Sequence, residues 1–528
     1  MNMISTCPFR PQPNAQAVAP ALPDAELGIT VHLLPEVNEE QQQQQMTLLA
    51  DHPQRRKYLA GNSLKAHCSS GKDVLNEVMQ FFKDHGVAAV SGDRALRLVT
   101  ATLTVEKAAE LFGISFYIYR QADAHQYLSY EGSIQLPPQI APYVTHISGL
   151  TRGKQRAVRS RIRLDDTSAF NPALFAAPDQ NAPQGYTPQH IEQVYQFPDN
   201  DAEGECIGLI ELGGHYRKED LQTYCDALGI PLPDVAEVGE APGGASADPT
   251  LSDLEVTMDL QLAAGLAPGA KLVIYYAATI ADALQLAITD NQHKPSILSI
   301  SWAVGESDIS DSELMELQYL TQQASLRGIT IVAASGDHGY LEVNQQVAGV
   351  NYPAALPHVL GVGGTALWGD NSQTVWDQMQ QSLEASGGGY SRKIPAPPYQ
   401  SSALYHYQQY NPQMPVTVRA TPDLAANASA QTAYAVVFNG HWFAMGAGTS
   451  ASTPVMAALF ARLNKALGYR LGFIHHFLYQ LMATPTWNSA IAGNNGGYTS
   501  APGWDPCTGL GAPNGTLLLD AFRAGEEE

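Results

Sequence analysis

The stretch GAGTSASTP, residues 446 to 454, places Ser450 at the mouth of the apolar run VMAALFARLNKAL, which reads as a helix. A hydroxyl is a poor nucleophile at its own pKa, so a reactive serine needs a base beside it, commonly an imidazole held by a carboxylate. The chain has no His-Gly-Thr stretch; His-Gly occurs only at His85-Gly86 and His338-Gly339. Backbone N–H groups and the positive end of the helix dipole would face an oxyanion formed at Ser450. Pro454 is expected in the first helical turn, where a missing N–H costs nothing. The same nine residues also suit a plain helix N-cap.

Carboxylates supply the other candidates. LEVTMDLQLAAGLAPGA contains Glu255 and Asp259, and in a helix that spacing sets both on one face, roughly 5 to 6 Å apart at Cβ. Residues 254 to 262 alternate apolar and polar, which is strand periodicity, while Leu254, Met258 and Leu262 recur at helical spacing. Both templates keep the two acids on a shared side. Like charges held together raise the pKa of one of them, although such pairs are commonly just a solvated face. Asp337 ends the apolar strand GITIVAASGD. An acid there is either a strand-end cap or a protonated carboxyl donating to developing negative charge. His338 beside it is the one imidazole considered for Ser450.

The elements that must hold these residues fall into two regions. Up to about residue 150, LNEVMQFFKDHG, LRLVTATLT and TVEKAAELFGISFYIYR read as helix, strand, helix and strand, with Thr104 capping the helix that Gly113 ends. That is a small α+β domain, assigned to residues 1–151. A linker over 152–180 opens with RGKQRAVRSRIR, six basic residues without one acid; it is a protease-accessible segment or a solvated charge run. From 181 to 528, IGLIEL, KLVIYYA, PSILSISW, GITIVAASGD and HVLGVGGT alternate with helical pieces such as ADALQLAITDN. The pattern predicts a parallel sheet covered by helices on both faces, with ligands beyond the carboxyl ends of its strands. Asn439-Gly440 marks a hairpin just ahead of Ser450.

Taken in order, YTPQHIEQVYQFP, IGLIELGG, the Glu255/Asp259 pair with AAGLAPGAKL, PSILSISW, VAASGD, NYPAALPHVLGVGG, SGGGYSRKIP, GTSASTP and GWDPCTGLGAP span nearly the whole chain. Together they resemble the sedolisin family of serine-carboxyl peptidases, and within it the kumamolisin branch. The resemblance implies an α/β, subtilisin-like fold in which a glutamate replaces histidine, preceded by a ferredoxin-like activation domain that covers the cleft as an intramolecular inhibitor. It implies Glu255 as general base and acid, Asp259 as its support, Ser450 as nucleophile and Asp337 in the oxyanion hole. Glu211 and Trp302 match positions that extend the acidic network, and residues 254 to 262 become helical. The implied product is an acid-active endopeptidase on protein or peptide substrates, autoprocessed near Asn181. Two other readings stand beside it: an inactive, protease-shaped binding protein, and a His338-dependent subtilisin-type protease.

The family also carries a Ca2+ site. Gly503 and Asp505 match it, but Ser489 stands where its first acid belongs. A hard cation wants several oxygens with enough anionic charge, so the resemblance leaves calcium open. The formal net charge of −22 and only 15% charged residues argue against nucleic acid or an anionic membrane as partner; a monomer is expected. An acidic chain loses self-repulsion as its carboxylates protonate, which suits an extracellular or other acidic setting. The start lacks an apolar core of about 7 to 15 residues, so no ordinary signal peptide is read there. Five cysteines without CxxC spacing indicate neither a disulfide framework nor zinc.

Overall fold

Strands buried on both faces read as unbroken apolar runs, and the runs after residue 200 assemble accordingly. In the computed structural model, Val235–Gly239, Lys271–Tyr276, Cys206–Glu211, Ile297–Ile300, Thr330–Ala334 and Leu360–Leu367 lie side by side in that order, all parallel. Leu424–Asn427 extends the sheet in parallel beside Leu360–Leu367, and Gln373–Val375 joins it antiparallel. Helices Leu251–Leu266, Ile280–Thr289 and Thr449–Leu467 pack on the sheet. This is the subtilisin-like α/β architecture.

The structure describes residues 16–34, 49, 51–58, 72–94, 96–120, 126–150, 156–157, 185–241, 250–488 and 491–525. Contacts divide the chain into one unit of 1–47, 58–154 and 308–319, and another of 48–57, 155–307 and 320–528. In the first unit, Ala89–Asp93, Leu98–Thr104, Glu26–Leu33 and Val144–Ser148 form an antiparallel sheet in that order. Helices Lys72–Asp84 and Val105–Phe112 supply Val78, Phe82, Ala108 and Phe112 to its core. This is the ferredoxin-like α+β domain. Thr104 accepts a hydrogen bond from the Lys107 N–H at 3.2 Å, and Gly113 ends the helix at φ 66°. The unit also takes in 308–319, where Glu316 lies 3.1 Å from His32 Nε2 and the Arg97 guanidinium covers the Tyr319 ring.

Of the basic linker only Arg156–Ala157 is described, and it pairs antiparallel with Trp302–Ala303; the rest of 152–180, and Asn181, lie outside the described residues. Cys206, Cys225 and Cys507 are buried free thiols, while Cys7 and Cys68 are not described. Among the described residues no helix is long and apolar enough to cross a membrane.

Candidate active site

Residues 251–266 are one helix, which settles the conflict of periods. Thr250 opens it with a capping box: its hydroxyl accepts from the Asp253 N–H, and the Asp253 carboxylate accepts from the Thr250 N–H. Every residue from Glu255 to Leu266 is buried. A helix enclosed all round has no solvent stripe to print a 3.6-residue period on the sequence. Gln261 fixes the helix to the hairpin before Ser450, donating to the Val437 carbonyl at 2.7 Å and accepting from its N–H at 2.8 Å. That hairpin turns at Asn439-Gly440, both at positive φ, as its sequence predicts.

Helix Thr449–Leu467 carries Ser450 at its second position, after Gly448 at φ 91°. One expectation is corrected here. Pro454 is the sixth residue of the helix and lies inside it, not in its first turn. A proline there removes the N–H that would bond the carbonyl four residues back, and that carbonyl belongs to Ser450. The Ser301 hydroxyl, from the loop between Ile297–Ile300 and Trp302–Gly305, stands 3.2 Å from it.

Four carboxyl groups and the serine are each no more than 5% exposed: Glu211, Glu255, Asp259, Asp337 and Ser450. Glu211 ends strand Cys206–Glu211 and accepts from the Trp302 indole N–H at 2.8 Å. Burial pushes its pKa well up; the Trp302 N–H opposes that, and the charge of Glu255 adds to it. Asp259 is likewise raised, by burial first and then by Glu211, opposed where the Ser301 hydroxyl donates to it. Ser301 Oγ is 2.6 Å from Asp259 Oδ2, while Asp259 Oδ1 and Ser450 Oγ have no hydrogen-bond partner among the described residues. Glu211, Glu255 and Asp259 therefore form one electrostatic cluster beside the serine helix.

Asp337 follows strand Thr330–Ala334 through Gly336, whose φ of 126° excludes a side chain that would in any case meet Asn351 Nδ2 at 2.4 Å. Its Oδ1 accepts from both the N–H and the hydroxyl of Thr449, at 2.7 and 2.8 Å, and its Oδ2 is buried without a partner among the described residues. Burial raises its pKa to about 7 against those two bonds. With Oδ1 saturated by donors, a proton belongs on Oδ2, free to donate. His338 goes elsewhere: Nδ1 is 3.1 Å from the Leu383 carbonyl, Nε2 is 3.2 Å from Gln345, and burial lowers its pKa.

Thr449 and Ser301 escaped the sequence reading. Their signals were a threonine beside the candidate nucleophile and the last of three serines in the run PSILSISW, next to Trp302.

The carboxyl-terminal turn is self-contained. Asp505 is fully buried; its Oδ1 accepts from the N–H groups of Cys507 and Thr508 at 2.8 Å, its Oδ2 from that of Ala501 at 3.1 Å, and Thr508 Oγ1 lies 3.3 Å from both. Gly503 turns at φ 86°. Among the described residues no three acid, His or Cys side chains converge on a point, and Ser489 lies outside them. Asp505, already claimed by N–H and O–H donors, supplies one carboxylate where a hard dication wants several oxygens with enough anionic charge.

Residues 13–153 match the family model "Pro-kumamolisin, activation domain", and residues 239–486 match the model of the subtilase family. Kumamolisin of Bacillus sp. (strain MN-32) is 34% identical over 530 residues, covering 97% of this chain and 94% of its own. Tripeptidyl-peptidase 1 of Mus musculus is 25% identical over 562 residues, covering 97% and 96%. Among solved structures, Pseudomonas sedolisin, a serine-carboxyl proteinase complexed with two molecules of pseudo-iodotyrostatin, superposes with a TM-score of 0.58 at 28% identity, over 65% of this chain and 99% of that one. The chain belongs to the sedolisin family of serine-carboxyl peptidases, as a kumamolisin-like member with its activation domain attached.

Proposed function

We propose that the chain is the precursor of an acid-active endopeptidase in which Ser450 attacks the peptide carbonyl and Glu255 takes, then returns, its proton. The observation that carries this reading is the buried cluster of Glu211, Glu255 and Asp259, linked through Ser301 to the backbone of Ser450, whose hydroxyl bonds to no imidazole among the described residues. Ser450 Oγ bonds to the carbonyl carbon as its proton passes to Glu255. The oxyanion accepts from the Ser450 N–H and from the proton on Asp337 Oδ2. Glu255 then protonates the leaving amine, and the acyl-enzyme is hydrolysed by water with Glu255 again as base. Asp259 supports Glu255, and Glu211 with Trp302 extends the network. The Asp505 turn works without calcium.

The acid optimum follows from the groups. Free carboxyls titrate near 4 and imidazole near 6.5; in acid a histidine base is silenced, while a glutamate still exchanges its proton. Asp337 donates only while protonated, and loses that ability as pH rises through about 7. We place the optimum at roughly pH 3 to 5 from these reference values, which suits an extracellular or other acidic compartment. An inactive binding protein gains no support, since all four catalytic groups are present and buried.

Internal cleavage is supported by Arg156–Ala157. This segment, far from either chain end, runs antiparallel along Trp302–Ala303, next to Ser301 and hence to Ser450. A site that pairs with mid-chain backbone needs no free amino terminus. The test is a pH-rate profile on a denatured protein after acid incubation of the precursor, alongside peptides with acetylated amino termini. Peak rate in acid and cleavage of blocked peptides are expected. Equal or greater speed at pH 7.5 sinks the assignment of roles, and strict dependence on a free amino terminus makes the enzyme an exopeptidase.

A further inference from the structure

Ser301 Oγ is fully buried and close to two acceptors, Asp259 Oδ2 at 2.6 Å and the Ser450 carbonyl at 3.2 Å. A serine hydroxyl owns one hydrogen. If that hydrogen goes to Asp259, the buried Ser450 carbonyl, which Pro454 has deprived of its i+4 helical donor, loses the Ser301 hydrogen as well, a costly arrangement. If instead Asp259 carries a proton on Oδ2, it donates to Ser301 Oγ, and Ser301 donates its own hydrogen to the Ser450 carbonyl. Asp259 Oδ2, Ser301 Oγ and the Ser450 carbonyl are then all paired.

We propose that Ser301 is a positioning residue that keeps a proton on Asp259 Oδ2, so that the negative charge of the carboxyl cluster resides on Glu255, where the base is needed. The inference rests on the proposed role of Glu255. The groups that bear on Asp259 are Glu211, from the strand Cys206–Glu211, and the Ser301 hydroxyl at its Oδ2. Burial first and the charge of Glu211 second disfavour a charge on Asp259, opposed where the Ser301 hydroxyl donates to it. With Oδ2 protonated, the bare Oδ1 is left as an acceptor for the proton that Glu255 takes from Ser450. Pro454 belongs to the same device, because it leaves the Ser450 carbonyl in need of a donor from outside its helix.

The test is the pH dependence of kcat/KM for the processed full-length product of wild type, Ser301→Ala and Pro454→Ala. Without the hydroxyl, neutral Asp259 loses its acceptor and competes with Glu255 for the charge. The plateau should fall about tenfold, the worth of one good hydrogen bond, with KM little changed, and the acid limb should move to lower pH. Pro454→Ala restores a helical N–H to the Ser450 carbonyl and releases the Ser301 hydrogen towards Asp259, so its acid limb should move the same way. It is also the measurement to rely on if Ser301→Ala does not fold. An acid limb unmoved in the folded variants, whatever the plateau does, overturns the inference. Glu255→Gln separates the two levels: if it stays active, the base assignment itself has failed, whereas its loss together with an unmoved limb condemns only the role of Ser301.

Discussion

Replacing Asp337 by alanine tests the oxyanion carboxyl most directly. The side chain does two jobs: Oδ1 anchors Thr449 next to the nucleophile, and Oδ2 is left to donate. Losing one oxyanion donor costs about a hundred- to a thousandfold in kcat, with KM little affected. The structure adds a dependence on pH that a generic defect would lack. With a pKa of about 7, Asp337 is almost wholly protonated at pH 5 and only about one-tenth protonated at pH 8, so the wild-type advantage should shrink about tenfold between them. Stability carries the same sign. The folded pKa lies above the unfolded one, so the contribution of the neutral carboxyl is complete below about pH 4 and fades as pH climbs through 7. The variant's Tm should therefore fall less steeply over that window, after an initial loss of about 1 to 3 kcal/mol from the Thr449 N–H left unpaired. Single-turnover rates from pH 4 to 8, read with Tm at each pH, decide the matter. A wild-type-to-variant ratio constant across that range, or a loss confined to KM, would show that Asp337 does not donate in the transition state.

Glu255→Gln should abolish turnover while His338→Ala, whose ring serves Leu383 and Gln345, keeps most of it in peptide assays; the reverse result would install an imidazole base. Ser450→Ala precursor held in acid should stay full length by mass spectrometry, provided no second protease is present. Because Asp505 already receives three N–H donors, chelation followed by calorimetric titration with calcium should give no saturable heat and no rise in Tm; a stoichiometric binding isotherm would restore the metal site.

The pieces that local chemistry writes into a chain were legible here. Thr104 and Gly113 bound a helix because a hydroxyl cap and a left-handed stop act within a few residues. The long apolar runs became the parallel sheet, and Asn439-Gly440 its hairpin. The ordered motifs identified the family and pointed to Glu211, Glu255, Asp259, Asp337 and Ser450, all of which the fold buries. The helix holding Glu255 was ambiguous, because periodicity reports the boundary with water and that helix has none. Pro454 was misplaced by a few residues, since a helix start depends on which N–H groups find partners, and here Gly448 and Asp337 set it.

Tertiary structure alone decided which polar groups meet. Ser301 lies 42 residues from Asp259 and 149 from Ser450 along the chain, yet its hydroxyl reaches both. The raised pKa of Asp337 likewise comes from burial in the packed fold, which outweighs the opposing donors of Thr449, 112 residues away. The segment 308–319 joins the unit built from residues 1–47 and 58–154, across a gap that no local pattern bridges. Residue types and their order set the available chemistry, because side-chain identity and short-range propensity travel with the chain. Protonation and pairing depend on desolvation and on contacts across the fold, which exist only once distant segments are packed together.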